Sequence, residues 1–325
     1  MSGRHGRKDP SRLPNPAVAL AAAFLLAVVV SIVVLKLAHH PAGPARPAAD
    51  GSRAPSEAAA GPSSAPAASG TAAATPAAVA SPFDAATAAF LGGRSGTVLA
   101  AVYDLRTSQT WTVGTGTPQD EASVVKLDIL ETLLAQRSKT GATLSASDSS
   151  LAQNMIEESD NDAATDLWDA VGGGTGIGSF NAAAGLTRTT PSSCVQCANF
   201  PWPGWGLTTT VPADQLALLR EIVQPSQLLT PAQQDYALGL MENVTPSQKW
   251  GVSGGVPATV TVALKNGWLP LNAAQTDWQV NSVGWVSGQG RDYLVAVLTT
   301  GDATEQYGID TISGLSALLW QHLRP

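Results

Sequence analysis

Histidine is nearly missing from the body of this chain. The four in 325 residues are His5, His39, His40 and His322, in the N-terminal region and at the extreme C-terminus. That placement argues against a Ser-His-Asp triad and against a zinc site of the His-Glu-x-x-His kind. Cysteine is scarcer: Cys194 and Cys197 form a single Cys-x-x-Cys. One such pair is a weak zinc signal, and a redox role would suit a cytosolic βαβ setting. In a Pro/Trp-rich stretch outside a membrane, a small structural Cys194–Cys197 disulfide is favoured over free thiols. Basic charge is also sparse, with 11 Lys and Arg against 22 Asp and Glu from Ser81 onward. This balance argues against nucleic acid as a partner.

What is present divides unevenly along the chain. Residues 1–16 are polar and basic, carrying Arg4, Arg7, Lys8 and Arg12. Residues 17–38 are apolar apart from Ser31 and Lys36. About 20 helical residues span roughly 30 Å of hydrocarbon, so this run is long enough to cross a bilayer. The basic flank places the N-terminus in the cytoplasm and the remainder outside, at the plasma membrane. The run exceeds the usual signal-peptide core, and no Ala-x-Ala site follows it directly, so an uncleaved single-pass signal anchor is expected. Residues 39–82 are Pro, Ala, Ser, Gly and Thr with scarcely a large apolar side chain, the composition of a disordered linker. Residues 83–325 hold all nine tryptophans and can bury a sizeable core within single-domain range.

In that last region the hydrophobic spacing predicts an opening helix over 81–91 and a hairpin of strands at 97–103 and 109–113. Helices follow at 119–139, 146–157, 162–171, 177–184, 212–222 and 231–242. Strands return at 258–265, 278–286 and 293–299, before a final helix at 304–322. Strands at both ends with helices between them predict an α+β fold whose single sheet is assembled from the two termini. The glycine run 172–178 does not fit Gly-x-Gly-x-x-Gly and follows a helix, so it reads as a helix-terminating turn.

Three short strings carry chemistry. Ser123-Val-Val-Lys126 near a helix start puts hydroxyl and amine on one face. A lysine desolvated beside a second cation loses its proton near neutral pH, so Lys126 can act as base for a Ser123 nucleophile. Ser159-Asp160-Asn161 offers a second hydroxyl and an amide, although each residue type also favours a helix cap. Lys265-Asn266-Gly267 ends a predicted strand; its lysine can anchor a carboxylate and its glycine permits close approach of a ligand. Taken singly, these strings read as a solvated helix face, a cap and a strand end. Yet two of the four lysines after residue 82, Lys126 and Lys265 among Lys139 and Lys249, fall inside them.

In this order and on these elements, the three strings resemble the class A β-lactamases and penicillin-binding proteins. The segments 207–213 and 248–257 are similar to that family as well. The resemblance implies a β-lactamase/transpeptidase-like fold with a reduced helical subdomain, because Ser159 follows Ser123 by only 36 residues. It implies Ser123 as the acylated nucleophile, Lys126 as its base and Ser159 as proton shuttle. Asn161, Lys265, Asn266, Gly267 and Trp268 would bind substrate, with the N–H groups of Ser123 and Trp268 as an oxyanion hole. Such chemistry needs no cofactor and no metal; its partner would be a β-lactam or a peptidoglycan-derived peptide.

The pattern departs from the family in one consequential place. Class A enzymes carry an Ω-loop glutamate that activates water, whereas residues 189–212 contain no acidic residue. Deacylation is therefore expected to be slow, with Glu157 and Glu158 as the carboxylates nearest the second string. The middle residue of the third string is Asn266 rather than a hydroxyl-bearing one. Trp202, Trp205 and Trp268 are candidates for the cleft wall. The alternative function is a catalytically weak or inactive module that binds muropeptide or a protein partner.

Overall fold

The computed structural model describes residues 80–324 apart from residue 199. The basic tail, the apolar run 17–38 and nearly all of the linker lie outside the described residues. Among the described residues no helix is long and apolar enough to cross a membrane.

Five antiparallel strands form one sheet in the order β2-β1-β7-β6-β5. They are β1 (Thr97–Asp104), β2 (Gln109–Val113), β5 (Thr261–Pro270), β6 (Trp278–Gly288) and β7 (Arg291–Asp302). The first strands lie against the last because β1 pairs with β7 from Thr97↔Thr300 to Asp104↔Tyr293. The α+β expectation holds, and the sheet is built from both ends of the domain.

Alternation along the strands feeds two hydrophobic layers. Ala101, Tyr103, Leu294 and Ala296 face one layer; Ala100, Val102, Val295 and Val297 face the other. The second layer is closed by α8 (Glu305–His322) through Ile312, Leu315 and Leu319, with α1 (Ala85–Gly92) beside it. The first is closed by a helical region around α2 (Val125–Thr140). That region includes α3 (Ala146–Gln153), α4 (Asn161–Ala170), α5 (Gly173–Ala184), α6 (Pro212–Val223) and α7 (Pro231–Glu242). Every residue of α2 from Val125 to Ala135 is buried, so the helix is enclosed on all sides.

Three local expectations are corrected. The predicted helix over 119–139 is divided: Gln119–Asp120 is a short strand, β3, paired with Thr209–Thr210, β4. Ala122 then turns the chain at φ 51°, and a 3-10 turn over Ala122–Val124 leads into α2. The strand expected to end at Lys265 runs on to Pro270, because β6 pairs with it as far as Pro270↔Trp278. The glycine run both ends α4 and opens α5, which starts at Gly173. A Cβ on Gly174 would stand 2.4 Å from the Ser192 carbonyl oxygen, so close packing excludes a side chain there.

Candidate active site

Ser123 sits half-buried in the 3-10 turn, one residue after the left-handed Ala122. Positive φ at a non-glycine residue costs about 1–3 kcal/mol and persists only where the surroundings enforce it. Here Asn281 of β6 enforces it, its amide donating to the carbonyls of Asp120 (2.8 Å) and Glu121 (3.0 Å). Gln279 holds Asn281 in turn, donating to its Oδ1 at 2.9 Å and to Gln119 Oε1 at 3.0 Å. Above the turn passes β5 at Gly267. A Cβ at that position would lie 2.7 Å from Glu121 O, from the Ser123 amide nitrogen and from the Val124 amide nitrogen. Glycine is required for the strand to lie this close to the Ser123 backbone.

Lys126, on the first turn of α2, is fully buried. Its amine donates to Ser159 O at 2.5 Å and to Asn161 Oδ1 at 2.8 Å, and lies 3.1 Å from Ser159 Oγ. Lys265, also fully buried, reaches the same Ser159 hydroxyl at 3.0 Å and the Asn266 carbonyl at 2.9 Å. Two amines thus share one hydroxyl, and no carboxylate ion-pairs with either among the described residues. Burial, with Lys265 as like-charged neighbour, pushes the Lys126 amine well below the ordinary lysine range; Asp160 opposes this weakly. Burial brings Lys265 down to about 7. A neutral Lys126 spends two hydrogens on Ser159 O and Asn161 Oδ1, which leaves its lone pair for a hydroxyl proton. Ser123, three residues before it, opens onto the same cavity as Ser159 and Asn161.

The Ser159-Asp160-Asn161 string both caps a helix and meets the Lys126 amine. Asp160 caps α4, accepting from the Ala163 amide at 2.7 Å, while Ser159 (φ 59°) and Asn161 turn toward Lys126. Asn266 departs from expectation. It is fully buried, and its amide donates to the carbonyls of Gln248 (2.7 Å) and Trp250 (3.3 Å), so it holds a loop rather than lining the cleft.

Ser123, Ser159, Asn161 and Trp268 open onto one cavity of about 430 Å³, which Trp202 and Trp278 also line. Trp268 meets Trp250 edge-on with ring centroids 5.7 Å apart. A second, narrow recess of about 50 Å³ beside Ser123 is walled by Phe200, Trp202, Trp205 and Leu269. Trp205 is buried, with its ring centroid 5.1 Å from the Lys126 amine and its indole N–H donating to Thr165 Oγ1 at 3.1 Å. Cys194 and Cys197 are joined as a disulfide at the base of the loop that carries Trp202. Gly204 is pressed against it: a Cβ there would meet Cys197 Sγ at 2.3 Å.

Sequence reasoning missed Asn281 and Gln279, whose only signal is two amides within the otherwise Val-rich run 278–286. It also missed three buried carboxylates, Glu121, Asp128 and Glu131, in and just before α2.

With this geometry in view, comparison with known proteins is direct. A sequence model described as the Beta-lactamase enzyme family matches residues 134–323. The chain belongs to this family. Solved structures share its fold. The TLA-1 extended-spectrum β-lactamase is similar with a TM-score of 0.65 at 17% identity, over 74% of this chain and 97% of that one. A class A β-lactamase from Bacteroides cellulosilyticus gives a TM-score of 0.62 at 18% identity, over 72% and 94%. PBP-A gives 0.58 at 22% identity, over 71% and 92%. No curated protein sequence matches the chain. The β-lactamase/transpeptidase-like fold expected from the three strings is thereby established.

Proposed function

We propose that this β-lactamase family member is an extracytoplasmic serine hydrolase that works through an acyl-enzyme, held at the plasma membrane by residues 17–38. Its substrates are β-lactams or cell-wall peptide amides. The observation that carries this reading is the convergence of Lys126, Lys265 and Asn161 around Ser159, on the wall of the cavity that Ser123 enters. Neutral Lys126 takes the Ser123 proton as Oγ bonds to the carbonyl carbon. The tetrahedral oxyanion is received by the backbone N–H groups of Ser123 and Trp268, donors of a kind that contributes about 3–4 kcal/mol to such barriers. The C–N bond then breaks, and the proton passes from Lys126 through Ser159 to the leaving nitrogen, leaving an ester on Ser123.

Hydrolysis of that ester requires water and a base, and deacylation is slow on this reading. What supports it is Trp205, an indole against the Lys126 amine on a loop without a carboxylate. PBP-A, one of the similar structures, is also known as a variant in an acyl-enzyme complex with penicillin G. Intact mass spectrometry of the purified protein with benzylpenicillin is the test. The expected result is a full-mass penicillin adduct on Ser123 that persists and is absent from Ser123→Ala. Neither adduct nor turnover would leave a module that binds muropeptide or a protein without chemistry.

A further inference from the structure

The Ser123 cavity is unbalanced in charge. No arginine, lysine or histidine is on its wall, whereas Glu158 and Glu305 both are. The two lysines behind Ser159 are buried and already engaged, Lys265 by Ser159 Oγ and the Asn266 carbonyl. Asn266, next to it, turns its amide away to main-chain carbonyls. The wall therefore offers a carboxylate no cationic side chain. A cation finds far more. Glu158 directly precedes the shuttle Ser159 and is exposed; Glu305 opens α8 on the same cavity and is half-buried. Neither carboxylate takes part in an ion pair among the described residues. Burial raises the Glu305 carboxyl above its ordinary value, a cost that an incoming cation would relieve. Trp202, Trp268 and Trp278 line the same cavity, and indole faces attract ammonium and guanidinium groups.

We infer that this cavity selects substrates bearing an ammonium or guanidinium group near the scissile carbonyl, read by Glu158, Glu305 and the tryptophan wall. The inference rests on the acyl-enzyme reading for its chemistry, although the charge preference itself belongs to binding. In a peptide substrate such a group is a free amine on the acyl side of the bond. The small-molecule counterpart is a penicillin with an amino group on its side chain.

Three penicillins test it, because they differ only at one side-chain carbon: benzylpenicillin, its α-amino derivative and its α-carboxy derivative. The rate of adduct formation on Ser123 should run ammonium first, neutral second and carboxylate last, with about tenfold between the first two. The Glu158→Gln/Glu305→Gln double variant should bring the ammonium-to-neutral ratio close to one, and added salt should shrink it in the native protein. Equal rates for all three, or a ratio indifferent to the double variant, would overturn the inference while leaving the acyl-enzyme reading intact. Equilibrium binding of the same three compounds to Ser123→Ala, followed by tryptophan fluorescence, separates the two claims. Ammonium-first affinity there, with no adduct on the native protein, would defeat the acylation reading and support this one. No order in either experiment would defeat this one.

Discussion

At the scale of single residues, the site depends on atoms that are absent as much as on those present. Gly267 has no Cβ, and that vacancy lets β5 lie over the Ser123 amide. A methyl group there would enter three backbone contacts at 2.7 Å, none of which can rotate away. Gly267→Ala should therefore displace the strand from Ser123 by a fraction of an ångström or more. Misplacement of about 1 Å typically costs about 10²-fold in rate, so penicillin acylation of Ser123 should fall by about that factor. Circular dichroism should show the fold retained, and a variant acylated at the native rate would count against the role assigned to β5. The glycine was legible in the sequence as a place for close approach. That the approaching partner is the protein's own backbone was not, since nothing near residue 267 announces residues 121–124. Trp205 was likewise visible only as one of several aromatic candidates; its place against Lys126 depends on how the loop folds back.

At the scale of elements, α2 is the unusual one. A helix enclosed on every side carries Asp128 and Glu131, with Glu121 just before it, and Glu131 has no hydrogen-bond partner among the described residues. Burial raises all three carboxyl groups. Like charge adds to this: Asp128 and Asp214 face Glu121, Asp214 faces Asp128, and Asp128 and Glu221 face Glu131. Asp128 is brought to about 7 from an ordinary 3.8. The folded protein thus keeps protons that the unfolded chain releases. That contribution is fully present below about pH 4 and is lost as pH rises toward 7. The two depressed lysines act in the opposite sense over this range, so substitution isolates the carboxylate: the unfolding midpoint of Asp128→Asn relative to the native protein should rise from pH 5 to pH 8. A native-to-variant difference that stays constant between pH 5 and pH 8 would contradict this picture of α2. The same helix shows how far periodicity reaches. Its apolar spacing predicted the helix itself, but not the β3 segment and left-handed Ala122 before it, which follow from pairing with Thr209–Thr210 and from the Asn281 amide. The β5 strand outran its predicted end for a similar reason: pairing with β6 carries it across Asn266-Gly267, where local propensity favours stopping.

At the scale of the whole molecule, three segments distant in sequence meet where the helical layer joins the open edge of the sheet. The order of strands and helices announced the α+β architecture, and the three strings announced the residues of the candidate site, because each is local. Their convergence is not local. It requires β5 at the sheet edge, α2 beneath it and α4 beside it, and it places two lysine amines on one hydroxyl with no counter-ion paired to them. That electrostatic arrangement is the centre of the account. Without it Lys126 would keep its proton at neutral pH, and the proposed acylation of Ser123 would lack its base. An NMR titration of the lysine side chains tests it directly, with Lys126→Ala and Lys265→Ala providing the assignments. The chain has six lysines. Two should titrate far below the ordinary 10.5, Lys265 at about 7 and Lys126 well below the usual range, with Lys126 moving upward in Lys265→Ala. All six titrating together near the ordinary value would contradict it.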